Sequence, residues 1–228
     1  MSKKVYYADR EKRGEYMIDH LCEYLTDRIR KQMPEIDDEK AEVILYGIQL
    51  IIGEIPKIFL MIALAILLGL WWETLLAFFL LLPYRICSGG FHLKTHLGCI
   101  LCTNLFYCGN AYISTNFQFP TIEAKLITIL ILWIFGIWMI SLYAPADTEN
   151  VPILTKKERR TKKILSYTVL SINLILAIII PNVIISNIFI LGTLIQTISI
   201  TRIAYILTKN KYGYEVYQKE NQATSTIG

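Results

Sequence analysis

The chain has 228 residues, 54% of them hydrophobic, a mean hydropathy of +0.43 and a formal charge of +4. That composition is too oily for a soluble domain of this length, and the charge is too small and too scattered for the basic face or arm of a nucleic-acid binder. Five cysteines (Cys22, Cys87, Cys99, Cys102, Cys108) are an odd number set mostly in or beside apolar stretches, which argues against an extracellular disulfide framework and for reduced thiols.

The first stretch, MSKKVYYADREKRGEY, is charged and leads into an amphipathic segment, so no cleavable signal peptide is expected. In residues 15–32, Ile18, Leu21, Cys22, Leu25 and Ile29 recur at helical spacing, opposite Asp19, Glu23, Asp27, Arg28 and Lys31. This helix is too polar to cross a bilayer and is expected to lie along the membrane surface or under a bundle. Pro34 and the acidic stretch at 37–40 mark its end and the start of the next helix.

Apolar runs then recur from residue 43 to 207, of a length that suits helices needing about 20 residues to span a bilayer. The first, 43–70, contains Glu54, Pro56 and Lys57, which predict a kink or break. The second, 73–84, is short enough to tilt or stop partway. Four more follow at 97–116, 122–144, 164–181 and 183–207. The expected fold is therefore all-α, a polytopic membrane bundle of six spans with an N-terminal amphipathic helix. It forms one membrane domain over 1–228: an amphipathic region at 1–40, the bundle at 43–207 and a tail at 208–228.

Lys and Arg positions predict the orientation. Of 23, nine precede residue 43, two lie at 85–96, six at 156–163 and four from Arg202 onward, whereas the connections near 71–74, 116–123 and 181–187 hold none. Six spans with both termini inside make these two groups alternate, and they put residues 85–96 at the cytoplasmic face.

That face carries the chemistry-bearing stretch RICSGGFHLKTHLGC, residues 85–99. Gly89 and Gly90, following Pro83, predict an interruption of helical geometry. Cys99 with an imidazole in reach is a route to a thiolate near neutral pH, and His92, seven residues earlier, can serve only from a segment that bends back. Other readings of the same residues stand beside this one. His92, His96 and Cys99 share helical spacing and could ligate a metal, although no fourth ligand is evident. The histidines could equally be packing residues. Cys99 and Cys102 match CxxC without a thioredoxin-like context, and Cys102 and Cys108 read as small hydrophobes. Arg85 could snorkel to headgroups or hold a carboxylate or phosphate through its planar fork. Glu54 could pair with Lys57 or sit in a polar cavity.

Three features together resemble the AgrB accessory gene regulator family of Gram-positive bacteria. They are Arg85-Ile-Cys-Ser-Gly-Gly90-Phe-His92 followed by Cys99, the loop Tyr143-Ala-Pro-Ala-Asp-Thr-Glu-Asn-Val-Pro-Ile153, and the order of an amphipathic N-terminus before six apolar runs. The resemblance covers nearly the whole chain and implies a membrane cysteine endopeptidase that processes an AgrD-type pro-peptide into a cyclic thiolactone. On it His92 is the base or ion-pair partner and Cys99 the nucleophile, with Arg85, Ser88, Gly89 and Gly90 in substrate-binding or supporting roles. It implies no cofactor, no metal and no nucleic acid. The partners it implies are the pro-peptide, the lipid bilayer and a second copy of the chain. The basic cluster at 156–163 could meet an acidic pro-peptide tail or be ordinary positive-inside charge. Val151 departs from the lysine common in the family's loop. Ser88, Asn104 and Asn110 are open candidates for an orienting or oxyanion-binding group. A transporter or peptide-binding scaffold is the alternative, with Glu54, Lys57 and Arg202 as pathway residues.

Overall fold

A computed structural model describes residues 16–33, 35–93, 95–148 and 152–225. The charged stretch before residue 16, Lys94 and Val151 lie outside them. The described residues form nine helices, and Gly89 and Ala146 form an isolated parallel bridge.

The chain divides into two units, Met1–Phe59 and Leu60–Gly228. The first holds α1 (Tyr16–Gln32) and most of α2 (Asp38–Leu67). In α1 the face carrying Cys22 and Thr26 is buried and Leu21 is exposed, so the inward stripe is narrower than the sequence periodicity suggests. Asp37 starts α2 by accepting the Lys40 amide at 2.8 Å, and Arg30 pairs with Asp38 across the connection. The expected break at Pro56 is absent, and α2 runs through it as one 30-residue helix. Proline costs a helix one backbone bond and a steric clash, which a bend can absorb without ending the helix. Glu54 pairs with the buried Lys57 one turn away.

The second unit begins in the last turns of α2, where Met61 and Ala65 pack with Cys108. It continues with α3 (Trp71–Ser88), α4 (His96–Asn116), α5 (Ile122–Tyr143), α6 (Lys156–Ile179), α7 (Val183–Ser199), α8 (Arg202–Leu207) and α9 (Gly213–Ser225). Thr95, Thr121, Thr155, Asn182 and Thr201 cap α4 to α8, each side-chain oxygen accepting an amide three residues on. α3 is longer than its apolar run because it passes through Pro83 and takes in Arg85. The last apolar run divides at Thr201, whose hydroxyl serves the start of α8.

α7 is the hub, packed against α3, α4, α5 and α6. Small residues permit the close approach: a Cβ on Gly192 would fall 2.4 Å from a Leu81 methyl, and one on Gly136 2.8 Å from Leu170. Polar groups reinforce it. Asn110 donates to the Ile188 carbonyl at 3.2 Å, Asn187 donates to the Phe117 carbonyl at 2.7 Å, and Tyr84 bonds Thr197 at 3.0 Å. By length and composition α5 and α6 can cross a membrane, with mean hydropathies of 2.3 and 1.6, and α7 is a shorter apolar helix. Only 28% of each long apolar window is buried, and α5 turns Ile131, Ile134 and Trp138 outward, a surface suited to lipid.

Candidate active site

Residues 85–92 form a built turn at the end of α3. The helix stops at Gly89 (φ 72°, ψ −148°), followed by Gly90 (φ 139°), both in the region open mainly to glycine. Each glycine is also required by proximity. A Cβ at Gly89 would lie 2.3 Å from the Ala146 carbonyl oxygen, and one at Gly90 2.0 Å from the Arg85 guanidinium.

The two motifs of the sequence, 85–92 and 143–153, meet here. The Ala146 amide donates to the Ser88 carbonyl at 2.8 Å and the Gly90 amide donates to the Ala146 carbonyl at 2.9 Å. The last turn of α7 closes the other side. Gln196 Nε2 donates to Ser88 Oγ at 2.8 Å and to the Gly89 carbonyl at 2.7 Å, and the Phe91 amide donates to the Ser199 carbonyl at 3.4 Å.

Arg85 is directed inward. Its guanidinium donates to the Phe91 carbonyl at 2.6 Å, to Ser199 Oγ at 3.2 Å and to the Gly89 carbonyl at 3.4 Å. The fork that could hold a substrate anion thus holds the loop. Ser88 is fully buried and gives its hydroxyl hydrogen to the Tyr84 carbonyl at 2.8 Å while accepting from Gln196, which leaves no donor for an oxyanion. Asn110 is likewise engaged, donating to Ile188 and accepting from Ser114 at 3.1 Å. Asn104 donates to the Ile100 carbonyl of its own helix at 2.8 Å.

His92 lies on the non-helical segment between α3 and α4 and is exposed, with its carbonyl accepting from Asn210 at 2.6 Å. Cys99 is half-buried in the first turn of α4, its amide bonded to the carbonyl of the N-cap Thr95 at 3.0 Å. That end of a helix carries partial positive charge and suits a developing anion. His96 opens the same helix, and its side chain lies outside the described set, as does all of Lys94. All five cysteines are free thiols, and Cys108 packs as a small hydrophobe against Met61 and Ala65. Among the described residues no three His, Cys, Asp or Glu side chains gather as a metal site.

The second motif has its own anchor, which the sequence did not single out. Asp147, with its side chain wholly buried, accepts from Arg159 at 3.0 Å and from the Ile153 amide at 2.9 Å. Arg159 also donates to the Pro145 carbonyl and lies 4.3 Å from the Tyr214 ring centroid. Tyr205 donates to the Ala146 carbonyl at 2.8 Å and stacks on Tyr212 at 4.1 Å. Burial pushes the Tyr212 phenol well above its ordinary value. The signal available in sequence was an acidic residue two positions after Pro145 with a cationic helix start downstream. The basic cluster is partly spent on structure: Arg159 serves Asp147, Lys162 pairs with Glu158 at 3.2 Å and Lys163 donates to the Ser141 carbonyl at 2.6 Å. Lys156, Lys157 and Arg160 are exposed.

Comparison with known proteins supplies the context. The chain is 30% identical over 202 residues to an AgrB-like protein of Listeria monocytogenes serovar 1/2a, covering 87% of this chain and 96% of the relative. An AgrB-like protein of Listeria welshimeri is 28% identical over 200 residues, with 87% and 96% covered. One from Clostridium perfringens strain SM101 is 26% identical over 207 residues, with 85% and 95% covered. No solved structure matches the chain. The model of the accessory gene regulator B family matches residues 22–200, which contain both motifs and the helices that join them. The chain belongs to the accessory gene regulator B family, AgrB, and is thereby a membrane protein of quorum-sensing pro-peptide processing.

Proposed function

We propose that the chain is a six-span, membrane-embedded cysteine endopeptidase and peptide cyclase acting at the cytoplasmic face on an AgrD-like pro-peptide, with both termini on that side. His92 takes the Cys99 thiol proton, and the sulfur attacks a backbone carbonyl at the C-terminal end of the pheromone segment. The tetrahedral intermediate collapses as the C–N bond breaks. The imidazolium returns its proton to the leaving amine, the tail departs, and Cys99 holds the segment as an acyl-thioester. A cysteine thiolate within the substrate then attacks that thioester, closing a thiolactone ring and freeing the Cys99 sulfur. One thioester replaces another, so the second step is close to balanced, and excluding water favours the ring over hydrolysis. No metal or cofactor enters this scheme.

The observation that carries the reading is the support built around 85–92. A loop bearing His92 is tied to α3, to the Ala146 strand-like segment and to α7, immediately before the helix whose first turn bears Cys99. Preorganisation of this kind is what a catalytic pair needs and what a lipid-facing turn does not. Six spans and the cytoplasmic placement are supported by the alternation of Lys- and Arg-bearing connections. The three exposed cations at the start of α6 are suited to an acidic tail.

The test uses purified full-length protein in liposomes with a synthetic pro-peptide carrying an internal cysteine and an acidic tail, read by mass spectrometry. Tail release and a product one water lighter than the linear peptide are expected. Cys99→Ser and His92→Gln should each abolish release without loss of folding, and iodoacetamide should inactivate where chelators do not. Release that survives Cys99→Ser would sink the proposal and favour a carrier or scaffold.

A further inference from the structure

Gln196 stands out among the buried polar groups because its one nitrogen serves two acceptors at the point where α3 ends. Ser88 Oγ lies at 2.8 Å and the Gly89 carbonyl at 2.7 Å, 108 and 107 residues away in sequence. Ser88 has already given its hydrogen to Tyr84, so Oγ can only accept, and a primary amide has the two hydrogens the site requires. Gln196 is 6% exposed, which keeps water from substituting for it. Three residues on, Ser199 takes the Arg85 guanidinium on its hydroxyl and the Phe91 amide on its carbonyl, and returns its own hydrogen to the Gln196 carbonyl at 2.7 Å. The last turn of α7 therefore grips the loop on both sides of Gly90.

We propose that Gln196 is a positioning residue, whose forked hydrogen bond from the end of α7 fixes the Gly89–Phe91 turn and so sets how His92 addresses Cys99. The proposal rests on the cysteine-peptidase reading. Gln196 makes no bond to either reacting group, so its effect passes through the turn. Leucine in its place leaves the buried Ser88 oxygen without its donor and the Gly89 carbonyl with only the longer bond from Arg85 at 3.4 Å, so the turn loses its two short ties to α7. A displacement on the order of 1 Å at a reacting group costs about 100-fold in rate.

The experiment compares wild type, Gln196→Leu, Gln196→Asn and His92→Gln as full-length protein in liposomes. Gln196→Leu is expected to lower kcat for tail release by about 100-fold with KM unchanged, since binding is not what the turn supplies. The pH profile of Cys99 alkylation, followed on its own peptide by mass spectrometry, should move to that of His92→Gln. Gln196→Asn keeps an amide on a shorter arm and should fall between the two. A merely structural role would lower yield or melting temperature while the folded fraction kept wild-type kcat and alkylation profile; that result overturns the proposal. Should Gln196→Leu not accumulate, wild-type kcat and profile in Gln196→Asn overturn it equally. If wild type shows no Cys99-dependent release, the peptidase reading fails on its own. Hydrogen exchange at the Gly90 amide then decides whether Gln196 holds the turn: faster exchange in Gln196→Leu upholds that part, and unchanged exchange refutes it.

Discussion

Gly89→Ala tests the architecture of the turn most sharply. Its backbone, at φ 72° and ψ −148°, is nearly reserved for glycine, and holding alanine there costs about 2 kcal/mol. The added Cβ also falls 2.3 Å from the Ala146 carbonyl oxygen, a backbone atom with no rotamer to escape into. Relief requires opening the two bonds that join the motifs, Ala146 to Ser88 at 2.8 Å and Gly90 to Ala146 at 2.9 Å, each worth about 1 kcal/mol net. The total is about 4 kcal/mol of local stability. At 1.4 kcal/mol per decade this should speed hydrogen exchange at the Gly90 and Ala146 amides by roughly a thousandfold, and tail release should collapse with it. Gly47→Ala is the matched control, since its Cβ meets nothing within 4 Å in a helix interior, where alanine is favoured by about 0.5–1 kcal/mol. Near-wild-type exchange at both amides in Gly89→Ala would refute the contact between the motifs and the reasoning built on it.

Asp147→Asn removes the charge facing Arg159, and because the Asp147 side chain is wholly buried, stability should fall by about 3 kcal/mol in detergent thermal unfolding. Gly192→Ala drives a Cβ into the Leu81 methyls and should cost about 1–3 kcal/mol, and Leu81→Ala in the same chain should recover part of that loss, so the double variant is more stable than the sum of the singles. Tyr212 titrates higher folded than unfolded, so its share of stability is whole below the ordinary tyrosine value near 10 and is lost as pH climbs toward the folded value. Tyr212→Phe should flatten that alkaline decline in an unfolding series while losing about 1 kcal/mol at neutral pH with its bond to the Ile200 carbonyl.

The sequence by itself determined the local features: the amphipathic α1, the apolar runs and the stop at Gly89-Gly90. These are legible because helical period, hydropathy and the backbone freedom of glycine act over a few residues. One break was misplaced and one was missed: Pro56 sits inside a continuous helix, since one missing backbone bond does not by itself end a helix, and the last apolar run divides at Thr201, which caps the helix after it. α4 reads as less apolar than its neighbours because Asn110 and Ser114 bind within the bundle.

Only the tertiary structure decided what the signature residues do. The sequence left Arg85 open between headgroups and an anion and Ser88 among the candidate orienting groups, and in the fold both bond within the turn. The meeting of the two motifs at Gly89 and Ala146, the ion pair of Asp147 with Arg159, and the grip of Gln196 and Ser199 join segments 12 to 114 residues apart. Such contacts depend on how α3 and α7 stack side by side, and hydropathy, which averages over faces, carries no record of which polar side chain faces which.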